Sequence, residues 1–233
     1  MKNRVQSGGG QGDVEVIFRN NDVIVVNKPA GLLTHPTSEK PNEPSVAGIF
    51  KSEVEDADEL RPGIVHRLDK DTSGVMILAR NPKTKEFLQA QFKDRAVRKQ
   101  YLSLVWGRMP HARARLELPI ARSLQKGNTM RVSHAGKMAV SEYAVEREFS
   151  DFDLLQIELM TGRTHQIRVQ LAHLCHPVVG DTQYGRKPMP EGLSRQFLHS
   201  YILELQVALG VKKSFEAPLS HDLQEFLNGL DQQ

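Results

Sequence analysis

The chain has 233 residues, a hydrophobic content of 39% and a formal net charge of +3, values that suit a folded soluble protein of one large domain or two small ones. No run of about 18 apolar residues is present, and Met1-Lys2-Asn3-Arg4 has no following apolar segment, which excludes a membrane-spanning helix and argues against a secretory signal. The single cysteine, Cys175, cannot form an internal disulfide, so a reducing cytoplasm is the natural compartment.

The first twelve residues are polar and contain Gly8-Gly9-Gly10 and Gly12, so residues 1–12 read as a disordered leader before a folded region over 13–233. Val14 to Phe18 and Val23 to Val26 are β-rich runs joined by Arg19-Asn20-Asn21-Asp22, a hairpin-like connection. Pro29 then ends the strand, because its fixed φ and missing N–H do not suit a sheet ladder. Thr37 to Arg61 is rich in Glu, Pro, Asp and Ser around an apolar island at Val46 to Phe50, which reads as a helix flanked by mobile loops.

Val75 to Ala79 reads as a buried strand, followed by a helix capped by Asn81, opened by Pro82 and ending near Asp94. Strand-like runs follow at Tyr101 to Trp106, Ala139 to Glu146 and Leu154 to Leu159, with basic or polar loops between them. Thr164 to Leu174 reads as a helix closed by Pro177, and Phe197 to Val207 and a short helix after Ser220 complete an α+β chain.

The small net charge conceals an asymmetry. From Arg80 to Lys137 there are fourteen Lys or Arg against three acids, a local balance of +11, while acids such as Glu53, Glu55, Asp56, Asp58 and Glu59 lie elsewhere. Such a block is an electrostatic footprint for a phosphate backbone.

The most informative segment is Pro62-Gly63-Ile64-Val65-His66-Arg67-Leu68-Asp69-Lys70-Asp71-Thr72-Ser73-Gly74, a tight loop that feeds the apolar run Val75 to Leu78. A rigid strand could hold the Asp69 carboxylate in place. The segment closely resembles the HRLDxxTSG signature of the RluA family of RNA pseudouridine synthases. The likeness extends to Asn27-Lys28-Pro29-Ala30-Gly31 with Thr34-His35-Pro36, to Lys99-Gln100-Tyr101, and to Thr161-Gly162-Arg163-Thr164-His165-Gln166-Ile167-Arg168. Gly180-Asp181, Tyr184-Gly185 and Leu198-His199-Ser200 follow in the same order, so the likeness spans residues from about 14 to about 219.

The resemblance implies the pseudouridine synthase fold, a mixed and largely antiparallel central β-sheet with peripheral helices around a central catalytic cleft. It implies Asp69 as the catalytic residue, Arg168 as the cation that keeps Asp69 ionised when the site closes, and Tyr101 as a ring for uracil stacking or proton transfer. Arg67 would take the place of a flipped nucleotide, Lys28, Arg163 and His165 would contact phosphate or pocket, and Leu198 would wall the uracil. The reaction breaks the C1′ to N1 bond and joins C1′ to C5 of the same uracil, an isomerisation for which no cofactor and no metal are expected. The carboxylate could attack the ribose or the base, or remove a sugar proton, and sequence leaves these routes open.

Two rival classes compete with this reading. A metal hydrolase is prompted by His165, His173, Cys175 and His176, but the step from His165 to His173 turns a helix face by about 80° and no H-E-x-x-H or C-x-x-C accompanies them. A glycosidase using Asp69 and Asp71 is chemically closer but would release free uracil. The second class, a catalytically silent RNA-binding module, would have no need of Asp69, Tyr101 and Arg168. Few residues precede Asp13, so the S4-type domain that members of this family acting on large-subunit rRNA often carry is not expected. The expectation is a cytoplasmic monomer without membrane contact whose partner is rRNA or tRNA.

Overall fold

The computed structural model describes residues 3–5, 14–37, 42–123 and 129–231. Within the span expected as one catalytic domain, the chain forms two compact units: Met1–Arg98 with Ser200–Pro218, and Lys99–His199 with Leu219–Gln233. Of the expected disordered leader, Asn3–Val5 form strand β1, and its remaining residues lie outside the described ones.

In the first unit, β2 (Val14–Arg19) and β3 (Val23–Lys28) form the expected antiparallel pair, with β1 antiparallel on the outer side of β2. Asn20 sets their turn, since its Oδ1 accepts the N–H groups of Asp22 and Val23 at 2.9 and 2.7 Å. β4 (Ser73–Ala79) runs antiparallel to β3 from Lys28↔Gly74 to Val23↔Ala79. β10 (Leu198–Ala208) follows β4 in the sheet and carries β11 (Val211–Glu216), so the order is β1-β2-β3-β4-β10 with β11 on β10.

One face of this sheet sets Val23 and Val25 against Val75, Ile77, Leu203, Leu205 and Leu88. On the other face Ile24, Val26, Met76 and Leu78 are also fully buried. Both faces of β3 and β4 are therefore covered, which is why they read as unbroken apolar runs. Each such side chain contributes about 1.5–3 kcal/mol of burial.

The short helix α1 (Val46–Ile49) is capped by Ser45, whose Oγ accepts the Gly48 N–H. The acid-rich stretch after it was expected to be mobile, but it is tied down. Glu55 N–H donates to Arg80 O at 2.8 Å, and Asp56 accepts from Gly63 N–H and from Lys85 Nζ. Helix α2 (Pro82–Lys93) begins as expected, with the Asn81 side chain accepting from Thr84 N–H and Pro82 in the first turn.

The second unit holds β5 (Arg98–Trp106, from Lys99 onward), β6 (Arg113–Arg122), β7 (Met130–Val132), β8 (Lys137–Glu148) and β9 (Phe152–Leu159). Their order is β5-β9-β8-β6-β7, antiparallel at every step. Helix α3 (Gln166–His173) falls where a helix was expected over 164–174. Its Gln166 and Gln170 are buried and hydrogen-bond to β8, at Val140 O and at Ala139 O and Ser141 Oγ, which locks the helix in register. Helix α4 (His221–Leu230) packs Leu223 and Leu227 on Leu104 and Phe197, and Arg195 grips Asp222 at its start through two nitrogens at 2.7 and 3.0 Å.

The class is α+β with a largely antiparallel sheet, as expected. Among the described residues no helix is long and apolar enough to cross a membrane.

Candidate active site

Asp69 lies in the first unit, in the loop that leads into β4, and the local sequence explains how that loop is held. Gly63 has φ +68°, and a Cβ there would stand 2.4 Å from Ala79 O, so only glycine lets the loop lie against β4. The His66 ring stacks on Phe92 of α2, and its Nε2 accepts the Ile77 N–H at 3.1 Å. Thr34 then brackets Leu68: its Oγ1 accepts the Leu68 N–H at 3.2 Å and donates to the Leu68 carbonyl at 2.9 Å. The Asp69 carbonyl accepts from Thr72 N–H, and the Lys70 carbonyl accepts from Gly31 N–H. Backbone on both sides of Asp69 is thus fixed by partners distant in sequence, while the residue itself is half-buried.

The Lys28 side chain, expected to reach phosphate or pocket, is fully buried, and its Nζ donates to the carbonyls of Pro29, Leu32 and Lys70 at 2.9, 2.7 and 2.9 Å. Lys28 is therefore a clasp that ties the turn after β3 to the Asp69 loop. Arg67, by contrast, is exposed, and Lys70 pairs with Glu43. Burial, together with the nearby charges of Arg61 and Arg67, holds the His35 imidazole below its ordinary pKa, against the opposing pull of its Nδ1 bond to Pro36 O.

The second unit carries Tyr101, Arg163, His165, Arg168 and Leu198. Tyr101 is buried in β5 opposite Ile157 of β9, and Leu198 is buried at the start of β10. Arg168 is buried on α3 and bound side-on by Asp181, with Nε to Oδ2 at 2.7 Å and Nη2 to Oδ1 at 3.0 Å. Burial alone would raise the Asp181 carboxyl, but hydrogen bonds and charge from Arg168, aided by the N–H groups of Tyr184 and Gln183, hold it below the usual carboxylate range.

The Tyr184 ring faces the Arg168 guanidinium at 5.0 Å, and its hydroxyl hydrogen-bonds His165 Nδ1 at 2.6 Å and accepts the Met130 N–H. His165 stands in the left-handed region (φ 53°) just before α3, and Arg163 Nε donates to Met138 O, so both are built into the approach to that helix. Neither Asp181 nor Tyr184 was given a role from the sequence, although both lie in segments that carry the resemblance. Thr34, Gln166 and Gln170 were missed as well. The Gln-x-x-x-Gln spacing places the latter two on one helix face and was the available signal.

The basic stretch is partly spent internally. In the first unit Lys85 pairs with Asp56, and Arg80 donates to the carbonyls of Asn20 and Glu53. In the second, Arg108 pairs with Glu148 and Asp153, and Arg115 with Glu117 and Glu142. Lys83, Lys93, Arg95, Arg113, Arg122, Arg131 and Lys137 are exposed. Among the described residues no three His, Cys, Asp or Glu side chains are grouped closely enough to hold a metal ion.

A family model described as RNA pseudouridylate synthase matches residues 22–173. The chain is 35% identical over 230 residues to ribosomal large subunit pseudouridine synthase D of Yersinia pestis, covering 93% of this chain and 70% of that protein. It is also 35% identical over 224 residues to an uncharacterized RNA pseudouridine synthase, YlyB, of Bacillus subtilis (strain 168), covering 94% of this chain and 73% of that one. Among solved structures, human RNA Pseudouridylate Synthase Domain Containing 4 matches with a TM-score of 0.74 at 22% identity, covering 93% of this chain and 92% of that chain, a likeness of fold alone.

Proposed function

The chain belongs to the RNA pseudouridylate synthase family and isomerises uridine in RNA to pseudouridine, and on that premise we propose that Asp69 carries the chemistry. The observation that supports this most is the loop around it. Thr34, Gly31, Lys28 and Thr72 fix the backbone of Leu68, Asp69 and Lys70, so the carboxylate is presented with little freedom. Pre-organisation of this kind lowers the barrier by removing orientational entropy before substrate arrives. Asp69 attacks the ribose or the base, or takes a sugar proton. The C1′ to N1 bond breaks, the uracil turns, C1′ joins C5, and the C5 hydrogen leaves. Arg168 supplies positive charge to the reaction, Tyr101 offers its ring to the uracil and its hydroxyl for proton transfer at C5, and Leu198 gives an apolar wall. Arg67, exposed beside Asp69, takes the place vacated by the flipped nucleotide. Arg163 and His165 contribute to substrate binding from the approach to α3.

The purified chain is expected to release tritium from RNA labelled with 5-tritiated uridine, with no added metal or nucleotide. Free uracil in place of retained isomer would favour a glycosidase, and RNA binding without tritium release would favour a silent binding module.

The target is proposed to be ribosomal RNA of the large subunit, a reading supported by the name of the Yersinia relative. We propose further that the protein acts in the cytoplasm as a monomer. Mapping pseudouridines by carbodiimide-dependent reverse-transcription stops in cells lacking the protein should show a lost site in that RNA. A lost site in tRNA alone would overturn the assignment.

The exposed cations Arg113, Arg122, Arg131 and Lys137 of the second unit are proposed to follow the RNA backbone. Replacing them with glutamine should flatten the slope of log affinity against log salt by roughly 0.7–0.9 for each phosphate that is no longer neutralised. An unchanged slope would reduce this surface to a solvated face.

A further inference from the structure

Arg168 is held more elaborately than a merely buried arginine needs. Asp181 accepts from Nε and Nη2, the Gln183 side chain accepts from Nη2 at 3.1 Å, and the Tyr184 ring covers the guanidinium. These acceptors belong to one turn. Asp181 Oδ1 also accepts the N–H groups of Gln183 and Tyr184 at 2.9 and 3.0 Å, and Gly185 N–H returns to Asp181 O at 3.0 Å. Gly180 enters the turn at φ +77°, where a Cβ would stand 2.1 Å from Arg195 O, so the turn cannot be relaxed by another residue at that position.

We propose that Asp181 is a positioning residue that holds Arg168 by one edge, so that the guanidinium is presented to the reaction in one fixed orientation. This rests on the reading of Arg168 as a participant in catalysis. Of the five N–H donors of a guanidinium, the turn engages those on Nε and Nη2. The arrangement accounts for an arginine where a cation is wanted. Lysine has a single charged nitrogen and no planar edge, so it could not be anchored side-on. Stability is a weak account of the pair, because a buried ion pair is often no more stabilising than well-packed apolar residues of the same size. Gln166 and Gln170, locked to β8, fix the backbone of α3, and Asp181 then fixes the side chain.

The test is a double-mutant cycle on the full chain, read as single-turnover tritium release from cellular RNA labelled with 5-tritiated uridine in cells lacking the protein. Asp181→Asn should lower the maximal rate about 10²-fold, the cost of displacing a reacting group by an ångström, while the half-saturating RNA concentration changes by less than about twofold. In an Arg168→Lys background, already slowed, the same substitution should cost less than about threefold more, because no side-on guanidinium remains to be positioned. Asp181→Asn at the wild-type rate beside an impaired Arg168→Lys would overturn the proposal and leave the role of Arg168 standing. Arg168→Lys at the wild-type rate would overturn both. A full loss repeated in the Arg168→Lys background would overturn positioning, since Asp181 would then act independently. If Asp181→Asn does not fold, Gln183→Ala, at an exposed site, takes its place in the cycle. A loss of about threefold confined to the Arg168 background is then expected, and an unchanged rate would overturn the proposal.

Discussion

Replacing Asp69 with asparagine is expected to lower pseudouridine formation on the order of 10⁴-fold, the scale seen when a residue central to the chemistry is removed. The carboxamide has nearly the volume and polarity of the carboxylate but lacks its charge, nucleophilicity and basicity. Folding should survive, because the bonds that set the loop run through backbone: Leu68 to Thr34, the Asp69 carbonyl to Thr72 N–H, and the Lys70 carbonyl to Gly31 and Lys28. RNA binding should also survive, because the exposed cations are untouched. Rates from tritium release, a thermal melt and an RNA titration would together check the claim. Turnover near the wild-type rate would sink the assignment of Asp69, whichever chemical route it takes.

The parts of this molecule that were legible in sequence are those whose cause is local. Asn81 followed by Pro82 specifies a helix start by itself, and the structure shows that cap with Thr84 N–H on the Asn81 side chain. Val23 to Val26 and Val75 to Ala79 are apolar without interruption because both faces are covered. β6 was missed, although Arg113-Ala114-Arg115-Leu116-Glu117-Leu118 alternates as a strand should, because its arginines belong to the basic block that was read for its charge alone. Pro119 is tolerated because β7 begins to pair only at Ile120↔Val132, one residue further along. β7 and β11, short or polar, carried no period to read.

At the candidate site, the sequence offers residue types but not geometry. The string around Asp69 announced itself, but nothing in it shows that Thr34 would bracket Leu68 from 34 positions away. Asp181 was visible only as part of a Gly-Asp pair. Its function as the acceptor for Arg168 depends on a fold that brings α3 beside the turn after Gly180. Buried polar networks are specified by such distant pairings, so a reading of local pattern sees their members and not their bonds.

Lys28 gives the sharpest case, because the two readings of it predict opposite results. Lys28→Met keeps the length and apolar stem but removes the ammonium. As a buried clasp, Lys28 leaves behind the carbonyls of Pro29 and Leu32 without its donors, and one fewer donor at Lys70 O. Stranded buried acceptors cost about 1–3 kcal/mol each, so a loss of roughly 3–5 kcal/mol is expected. For a chain of this size that lowers the melting midpoint by roughly 2–4 °C per kcal/mol. Activity should fall with it even well below the melting transition, because the Lys70 carbonyl adjoins Asp69 and the loop loosens there. The slope of log affinity against log salt should stay unchanged, since a fully buried ammonium neutralises no phosphate. A Lys28→Met variant with the wild-type melting midpoint, near-normal turnover and a flatter salt slope would instead make Lys28 a phosphate contact and remove it from the frame that holds Asp69.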